Sequence, residues 1–394
     1  MSGKINLVFM GVFTYPRGMA ATKRIQNAIN SLKNINGIET RVILQRQSSE
    51  LNNLSGVYDG TPYETIMGDL LRAKMILTLP FLCIKTNAAL KKAFKPSSKN
   101  VIYFYGPLFI ENILPLKYAK RLGYKIVFDV IEDYGLAKEV SHSFYYDMRG
   151  RIANRFSSLM KAMSDGGIVI SSHIEEKFRA LTQGKVPIHY LPISVNMDRF
   201  PVIPRRTKST ISMFYAGSFG KKDGLLVLLD AFDWLAAKYE GIRLVLTGKG
   251  DAEAMQEFYA RMDVSNFRYR IEYKGYLDDD GYYSTLNDAD IPCMTRVDLA
   301  FAHAGFPFKL GEFLATGKPV VVSRVSDVER FLVDRHSAMV VTPGSSEEVC
   351  KAVEFLIDNP ESAAAIGRRG RNVAETFFDY QRQGKALLAF LENV

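Results

Sequence analysis

HAGFPFKLGEFLATGKPVVVSR, His303 to Arg324, is the stretch that decides the fold. Gly305 and Pro307 make a tight entry, and Pro307 suits the first turn of a helix, where its missing N–H is not needed. From Phe308 to Thr316 the spacing is helical, with Leu310 and Leu314 four apart and Phe313 beside them. Gly317 can take the left-handed conformation that ends a helix, and Pro319 forbids its continuation. Val320, Val321 and Val322 then form the short apolar run that a buried parallel strand needs.

Two charges interrupt this apolar helix. Lys309 and Glu312 are three apart, so both project from one face. The amides of the first turn, near Phe306 to Lys309, carry partial positive charge and suit a phosphate, and Lys309 adds a full charge there. One turn further in, the Glu312 carboxylate can accept two hydrogen bonds from a pair of ribose hydroxyls. The same residues also read as a solvated Lys–Glu pair on an exposed helix. Against that stands their company: a Gly-Phe-Pro entry, a glycine-capped exit and a valine strand.

The stretch resembles the signature of GT-B glycosyltransferases, in particular the family 4-like enzymes with an FPxKLxEYLAxGxPVV segment. It stands here as Phe306-Pro307-Phe308-Lys309-Leu310-Gly311-Glu312-Phe313-Leu314-Ala315-Thr316-Gly317-Lys318-Pro319-Val320-Val321. The resemblance implies an α/β chain of GT-B architecture, two Rossmann-like domains facing across a cleft. It implies sugar transfer from a nucleotide-diphosphate donor to a hydroxyl acceptor (a glycan, a lipid-linked molecule or a small molecule) in glycan or glycoconjugate synthesis. Retention at the anomeric carbon is implied too, with no metal and no other cofactor. Phe306, Pro307, Lys309, Leu310 and Glu312 fall to the donor, with Glu312 and Lys309 in catalytic roles. Many relatives carry a Glu-x7-Glu pair. Glu312 matches its second member, Ala304 stands where the first would be, and His303 and Arg296 are near in sequence.

Outward from this stretch, the chain repeats one opening. INLVFMGVF from Ile5 can be laid over ISMFYAGSF from Ile211; Gly11 and Gly18 are seven apart, as are Gly217 and Gly224. Each is a strand, a glycine loop and a helix, which predicts two Rossmann-like units. Strands are expected at Glu39–Gln45, Val101–Tyr105, Lys125–Val130, Gly167–Ser171 and Ile188–Leu191 in the first half, alternating with helices near 107–121 and 172–182. The second half is expected to place strands at Arg243–Thr247, Ile271–Lys274, Ile291–Met294 and Val320–Ser323. Pro201 to Thr210, rich in Pro, Arg and Ser/Thr, reads as the linker. The expected division is 1–203 for the acceptor, 210–375 for the donor, and a terminal segment, 376–394, that the resemblance returns to the first domain. Arg46 to Thr61 has turn composition and reads as a mobile loop.

The 394 residues suffice for two cores, and 47% hydrophobic with 24% charged content is that of a globular protein. A net charge of +9 favours anionic partners: a nucleotide diphosphate, an acidic lipid surface or nucleic acid. The basic residues are spread out without a nucleic-acid motif, so nucleic acid is not expected. Cys83, Cys293 and Cys350 lack metal-type spacing and read as free thiols of a reducing compartment. MSGKINLVFM begins directly with a strand, and the longest apolar run, Met75–Ile84, is too short to span a bilayer. A cytoplasmic protein is the expectation.

Further candidates lie on the loops. Gly217 to Gly224 sets three glycines with Lys221 and Lys222 between strand and helix, so backbone can approach a phosphate and Lys222 can neutralise it; Lys222 also reads as a solvated loop lysine. The resemblance puts Gly248 and Gly250 beside the cleft and Gly275 and Tyr276 near the nucleotide base. It also places the loop of Gly18, in YPRGM, where donor or acceptor phosphate comes near. Asp278-Asp279-Asp280 suggests a helix cap at Asp279 or Asp280 rather than a metal site. In VFDVIED, Asp133 or Glu132 suits a sugar hydroxyl or the acceptor, and suits a helix cap equally. His142, His173, His189 and His336 show no constellation and read as structural. Phe81 to Lys95 interleaves apolar residues with Lys85, Lys91, Lys92 and Lys95, which suits an anionic membrane surface at the inner face and suits a plain solvated helix. Two other classes share the fold: a non-catalytic nucleotide-sugar-binding homologue or partner subunit, and a nucleotide-sugar 2-epimerase.

Overall fold

The computed structural model describes residues 4–47, 52–68, 77–133, 135–136, 151, 155–202 and 210–394. The chain divides into two compact units, Met1–Ser194 with Tyr380–Val394, and Val195–Asp379. The first therefore ends nine residues before the expected boundary at 203, and most of the expected linker, 203–209, lies outside the described residues.

The strands of the first unit are β1 (Ile5–Gly11), β2 (Ile38–Gln47), β3 (Ser55–Tyr58), β4 (Thr61–Gly68), β5 (Lys99–Tyr105), β6 (Lys125–Val130), β7 (Gly166–Val169) and β8 (Ile188–Tyr190). They form one sheet in the order β3-β4-β2-β1-β5-β6-β7-β8. All pairs are parallel except β3 with β4. β1 is central and buried on both faces, which is why it reads as an unbroken apolar run. Ile5, Leu7 and Phe9 meet Ile25, Ile29 and Leu32 of the helix Ala20–Leu32, and the terminal helix Tyr380–Asn393 adds Leu387, Phe390 and Leu391 to the same core. That helix lies so close that a Cβ on Gly384 would sit 2.1 Å from the Ser31 carbonyl oxygen. Tyr380–Val394 is thus grouped with the first unit, whereas the expected terminal segment began at 376.

The expected loop Arg46–Thr61 is corrected in part. Arg46 and Gln47 finish β2, and Ser55–Tyr58 is a strand hairpinned to β4. Asp59 and Gly60 both have positive φ (47° and 77°), the two-residue turn that Asp-Gly favours. β3 is an edge strand exposed along its whole length, so it carries no apolar alternation to betray it.

The second unit holds β9 (Ile211–Gly217), β10 (Ile242–Gly248), β11 (Ile271–Tyr273), β12 (Ile291–Met294), β13 (Val321–Ser323) and β14 (Met339–Val341). The order is β11-β10-β9-β12-β13-β14, all parallel. Met213 and Tyr215 of β9 pack with Leu228, Phe232 and Leu235 of the helix Leu225–Lys238, and with Val349, Val353 and Leu356 of the helix Ser346–Asp358. The strand that the repeated opening predicted, β1 in one unit and β9 in the other, is interior to its sheet in both.

Candidate functional site

In a parallel sheet, ligands meet the carboxyl ends of the strands, where helix-bound loops begin. In the second unit two neighbouring strands end in glycine. Gly217 closes β9 and Gly248 closes β10, paired in register. Gly248 has φ +131°, and a Cβ there would fall 1.9 Å from the Gly217 carbonyl oxygen. Gly275, after β11, has φ +66°. Its carbonyl accepts from the Gly248 amide (2.9 Å) and the Thr247 hydroxyl (2.7 Å), and the Tyr273 hydroxyl donates to the Gly248 carbonyl (2.9 Å). A Cβ on Gly250 would meet the Ser218 carbonyl oxygen at 3.2 Å. Three successive strand ends are thereby bound into one side-chain-poor rim, with Tyr276 exposed beside it.

Lys221 pairs with Glu253 at 3.6 Å, whereas the Lys222 ammonium lies 4.7 Å from the centre of the Phe301 ring. Phe301 belongs to the short helix Ala300–Ala304, from which the chain runs directly into Phe306 and Pro307. Lys222 therefore stands near the decisive stretch. The Ser218 hydroxyl donates to Asp223 within the same loop.

The decisive stretch folds as read. Lys309–Ala315 is helical, Gly317 has φ +73°, and Val321–Ser323 is β13 between β12 and β14. Leu310 and Phe313 are fully buried, and Phe306 nearly so. Glu312 is not a solvated residue: it is 5% exposed. The Tyr282 hydroxyl donates to its Oε2 at 2.6 Å and the Tyr283 hydroxyl to its Oε1 at 3.2 Å. Lys309, at the first helical position, is half-buried.

Where a first glutamate would stand, Ala304 is buried. His303 Nε2 lies 2.7 Å from Asp298 Oδ1, and its Nδ1 accepts from the Ser326 amide at 3.4 Å. The Arg296 amide donates to the Ser323 hydroxyl (2.8 Å), and its Nη1 to the Ala302 carbonyl (3.4 Å). Both residues fasten the loop that precedes Phe306. The acidic run caps a helix one residue earlier than expected: Asp278 accepts from the Gly281 amide at 2.9 Å, with Asp279 and Asp280 in the first turn of Asp279–Asp288.

In the first unit, Asp133 follows β6 and is nearly buried. It accepts from Lys177, from the Gly135 amide at 3.0 Å, and faces His173 Nε2 at 3.0 Å. Burial works to raise its carboxyl, but the Lys177 and His173 bonds outweigh that and hold it below the usual carboxylate range. The expectation that His173 has no constellation is thereby corrected: it forms a pair with Asp133, from a helix that starts after β7, a contact that linear spacing could not show. His142 lies outside the described residues. Asp129 of the same motif is fully buried against Arg24, which also donates to the Leu191 and Pro192 carbonyls, while the Tyr103 hydroxyl donates to Asp129 Oδ2 at 2.7 Å. Gly18 owes its missing side chain to packing, since a Cβ would sit 2.1 Å from the Thr22 hydroxyl and 2.2 Å from that of Thr14.

The expected basic segment is a helix, Leu79–Ala93, packed on the helix Ile110–Leu122. Phe81 and Ile84 on the first and Ile110 and Leu114 on the second are exposed, and Lys85, Lys91, Lys92, Lys117 and Arg121 are exposed with them. Lys95 is taken by Glu39. No described helix is long and apolar enough to cross a membrane. Cys83, Cys293 and Cys350 are buried free thiols.

Residues 210–359 match the family described as "Glycosyl transferases group 1". The chain is 26% identical over 175 residues to the phosphatidyl-myo-inositol mannosyltransferase of Mycobacterium leprae, covering 43% of this chain and 44% of that protein. It is 23% identical over 251 residues to the MMP alpha-(1->4)-mannosyltransferase of Mycolicibacterium hassiacum, covering 63% and 57%. The chain thus spans about half the length of these relatives. Among solved structures, sucrose-phosphate synthase from Thermosynechococcus elongatus superimposes with a TM-score of 0.76 at 14% identity, over 98% of both chains. Anabaena Alr3699/HepE in complex with UDP and glucose gives 0.72 at 14% identity, over 99% of this chain and 100% of that one. At such identity the likeness is one of fold, and it matches the two parallel sheets described above.

Proposed function

We propose that this chain, a GT-B protein of the family 4-like glycosyltransferase type, moves a sugar from a nucleotide-diphosphate donor to a hydroxyl acceptor. The observation that carries the reading is Glu312: a carboxylate held almost out of water by two tyrosine hydroxyls, in the same short helix as Lys309. Burying a carboxylate is costly, which favours a use for this one where it stands. In this reading Glu312 accepts the ribose hydroxyls. Gly217, Gly248 and Gly275 let backbone approach the nucleotide, with Tyr276 beside the base, and Lys309 and Lys222 take the diphosphate. As the sugar departs, negative charge builds on the diphosphate, and the two ammonium groups stabilise it most at that moment. The proposal includes retention, and it includes independence of divalent metal, since the lysines supply the positive charge. Asp133 with His173 takes the acceptor hydroxyl.

Relatives named for mannosyl transfer, and the neighbour bound to UDP and glucose, support a nucleotide sugar as the ligand. A thermal-shift and calorimetric screen of the whole chain against UDP-, GDP- and ADP-sugars, repeated with EDTA, tests this. Binding that survives the chelator is expected; no response to any of the three would overturn the donor site. Buried Ala304 favours a second reading, a homologue that binds a nucleotide sugar without transferring it. Release of nucleotide diphosphate from the donor that binds separates the two. The exposed apolar and basic residues of the helices Leu79–Ala93 and Ile110–Leu122 support peripheral contact with an anionic lipid surface, and with it a lipid-borne acceptor.

A further inference from the structure

We infer that Tyr282 and Tyr283 are positioning residues, which hold the Glu312 carboxylate in the orientation that takes the ribose hydroxyls of a nucleoside diphosphate. The inference rests on the donor-site reading of Glu312. Side chains of adjacent helical residues diverge by roughly 100°, so two consecutive tyrosines do not ordinarily share a partner. Here both hydroxyls reach one carboxylate, one on each oxygen, at 2.6 and 3.2 Å.

Each phenol is itself locked. The Tyr282 ring lies 6.4 Å from Phe214 of β9, and Phe214 lies 5.8 Å from Phe313, the residue after Glu312. The Tyr283 ring meets Phe200 edge-on at 5.5 Å and lies under the Arg199 guanidinium, also at 5.5 Å. The helix that carries both is started by the Asp278 cap, three residues beyond Gly275. Burial, and Glu312 beside it, push the Tyr282 phenol well above the usual tyrosine range, so it remains a donor.

A carboxylate has acceptor sites for about four hydrogen bonds, so two phenols orient it without saturating it by themselves. An unsupported glutamate would have several rotamers to choose from. One with each oxygen pinned has its remaining directions set before ligand arrives, which removes an ordering cost from binding.

The test uses the whole chain, UDP, GDP and ADP as probes, and the 2′,3′-dideoxy analogue of whichever binds. Wild type should prefer the ribonucleotide by about tenfold or more. Tyr282→Phe keeps the ring and removes the donor. It should erase most of that preference, leave affinity for the dideoxy form unchanged, and raise KM for the sugar donor while kcat holds. Tyr283→Phe, with the longer bond and a partly exposed ring, should do the same to a smaller degree and keeps the question open to measurement if the first variant folds poorly. If Tyr282→Phe weakens both nucleotides equally, or neither, the positioning role is overturned while the donor site stands. If wild type binds without distinguishing ribose from dideoxyribose, the ribose role of Glu312 itself is overturned.

Discussion

Replacing Glu312 by alanine should have two separable costs, one to stability and one, on the proposed donor role, to ligand. The first is to stability. Tyr282 donates to Glu312 at 2.6 Å in a buried setting, and removal of the carboxylate takes away the acceptor of that bond. A buried donor left unpaired costs about 1–3 kcal/mol. Tyr283 is partly exposed, so water can replace its partner and little is added. The second cost is to ligand. Loss of a charged acceptor for the ribose hydroxyls is worth about 1.5–3 kcal/mol, or roughly ten- to hundredfold in donor affinity. Urea unfolding reads the first and calorimetry on folded protein reads the second. The double variant Glu312→Ala with Tyr282→Phe separates them, because removing both partners of a hydrogen bond is far less costly than removing one. It should regain most of the lost stability and none of the lost affinity. Lys309→Ala should lower turnover more than donor affinity, since the leaving diphosphate gains charge in the transition state. A Glu312→Ala protein with unaltered stability and unaltered donor affinity would refute the account of this helix.

Three other outcomes follow from the first unit. Asp129→Ala leaves the Arg24 guanidinium, itself 2% exposed, without its ionic partner, and should cost on the order of 3–5 kcal/mol in urea unfolding; a loss under about 1 kcal/mol would mean the pair relaxes into water. Burial, with the Arg24 charge adding to it, pushes His189 down to about 4, and its ring stacks on Phe390 of the terminal helix. Its neutral form therefore favours the folded chain above the unfolded value near 6.5, and that stability is lost as pH falls through 4, up to about 3 kcal/mol; the acid limb of a stability–pH profile should flatten in His189→Phe, and an unchanged limb would place the acid sensitivity elsewhere. Liposome co-sedimentation should require anionic lipid and weaken with salt. Changing Lys85, Lys91 and Lys92 to Glu should abolish it, and binding that persists would clear these helices of the role.

The architecture was legible because its signals are local. A strand buried on both faces must be apolar throughout, and a helix that ends in Gly-Lys-Pro has its stop written in it, so β1, β9, β13 and the helix Lys309–Ala315 could be placed from composition and spacing. β3 failed the same test, because an exposed edge strand has no pattern to read beyond its Asp-Gly turn. Gly18 shows another limit of local reading. Thr14 and Thr22 fill the space where its Cβ would be, a packing reason for glycine that the sequence does not display. A sequence shows that a side chain is missing without showing what occupies its place.

Glu312 marks where local reasoning stops. Spacing of three from Lys309 says that the two share a face, and on an isolated helix that face would be wet. Whether it is wet depends on what lies over it, and here that is a helix some thirty residues earlier, whose tyrosines supply the donors. A buried carboxylate must find such donors or not be buried at all. The pair Tyr282-Tyr283, near the start of a helix capped by Asp278, was therefore the sign to look for once burial of Glu312 was granted. The same reasoning applies to Asp133. Its solvation was undecided in the sequence, and burial beside Lys177 and His173 makes a histidine read as lacking any constellation half of a hydrogen-bonded pair. In both units these candidate residues are ones whose polar groups had to be satisfied from another segment, and for them the partner, more than the residue, carries the information.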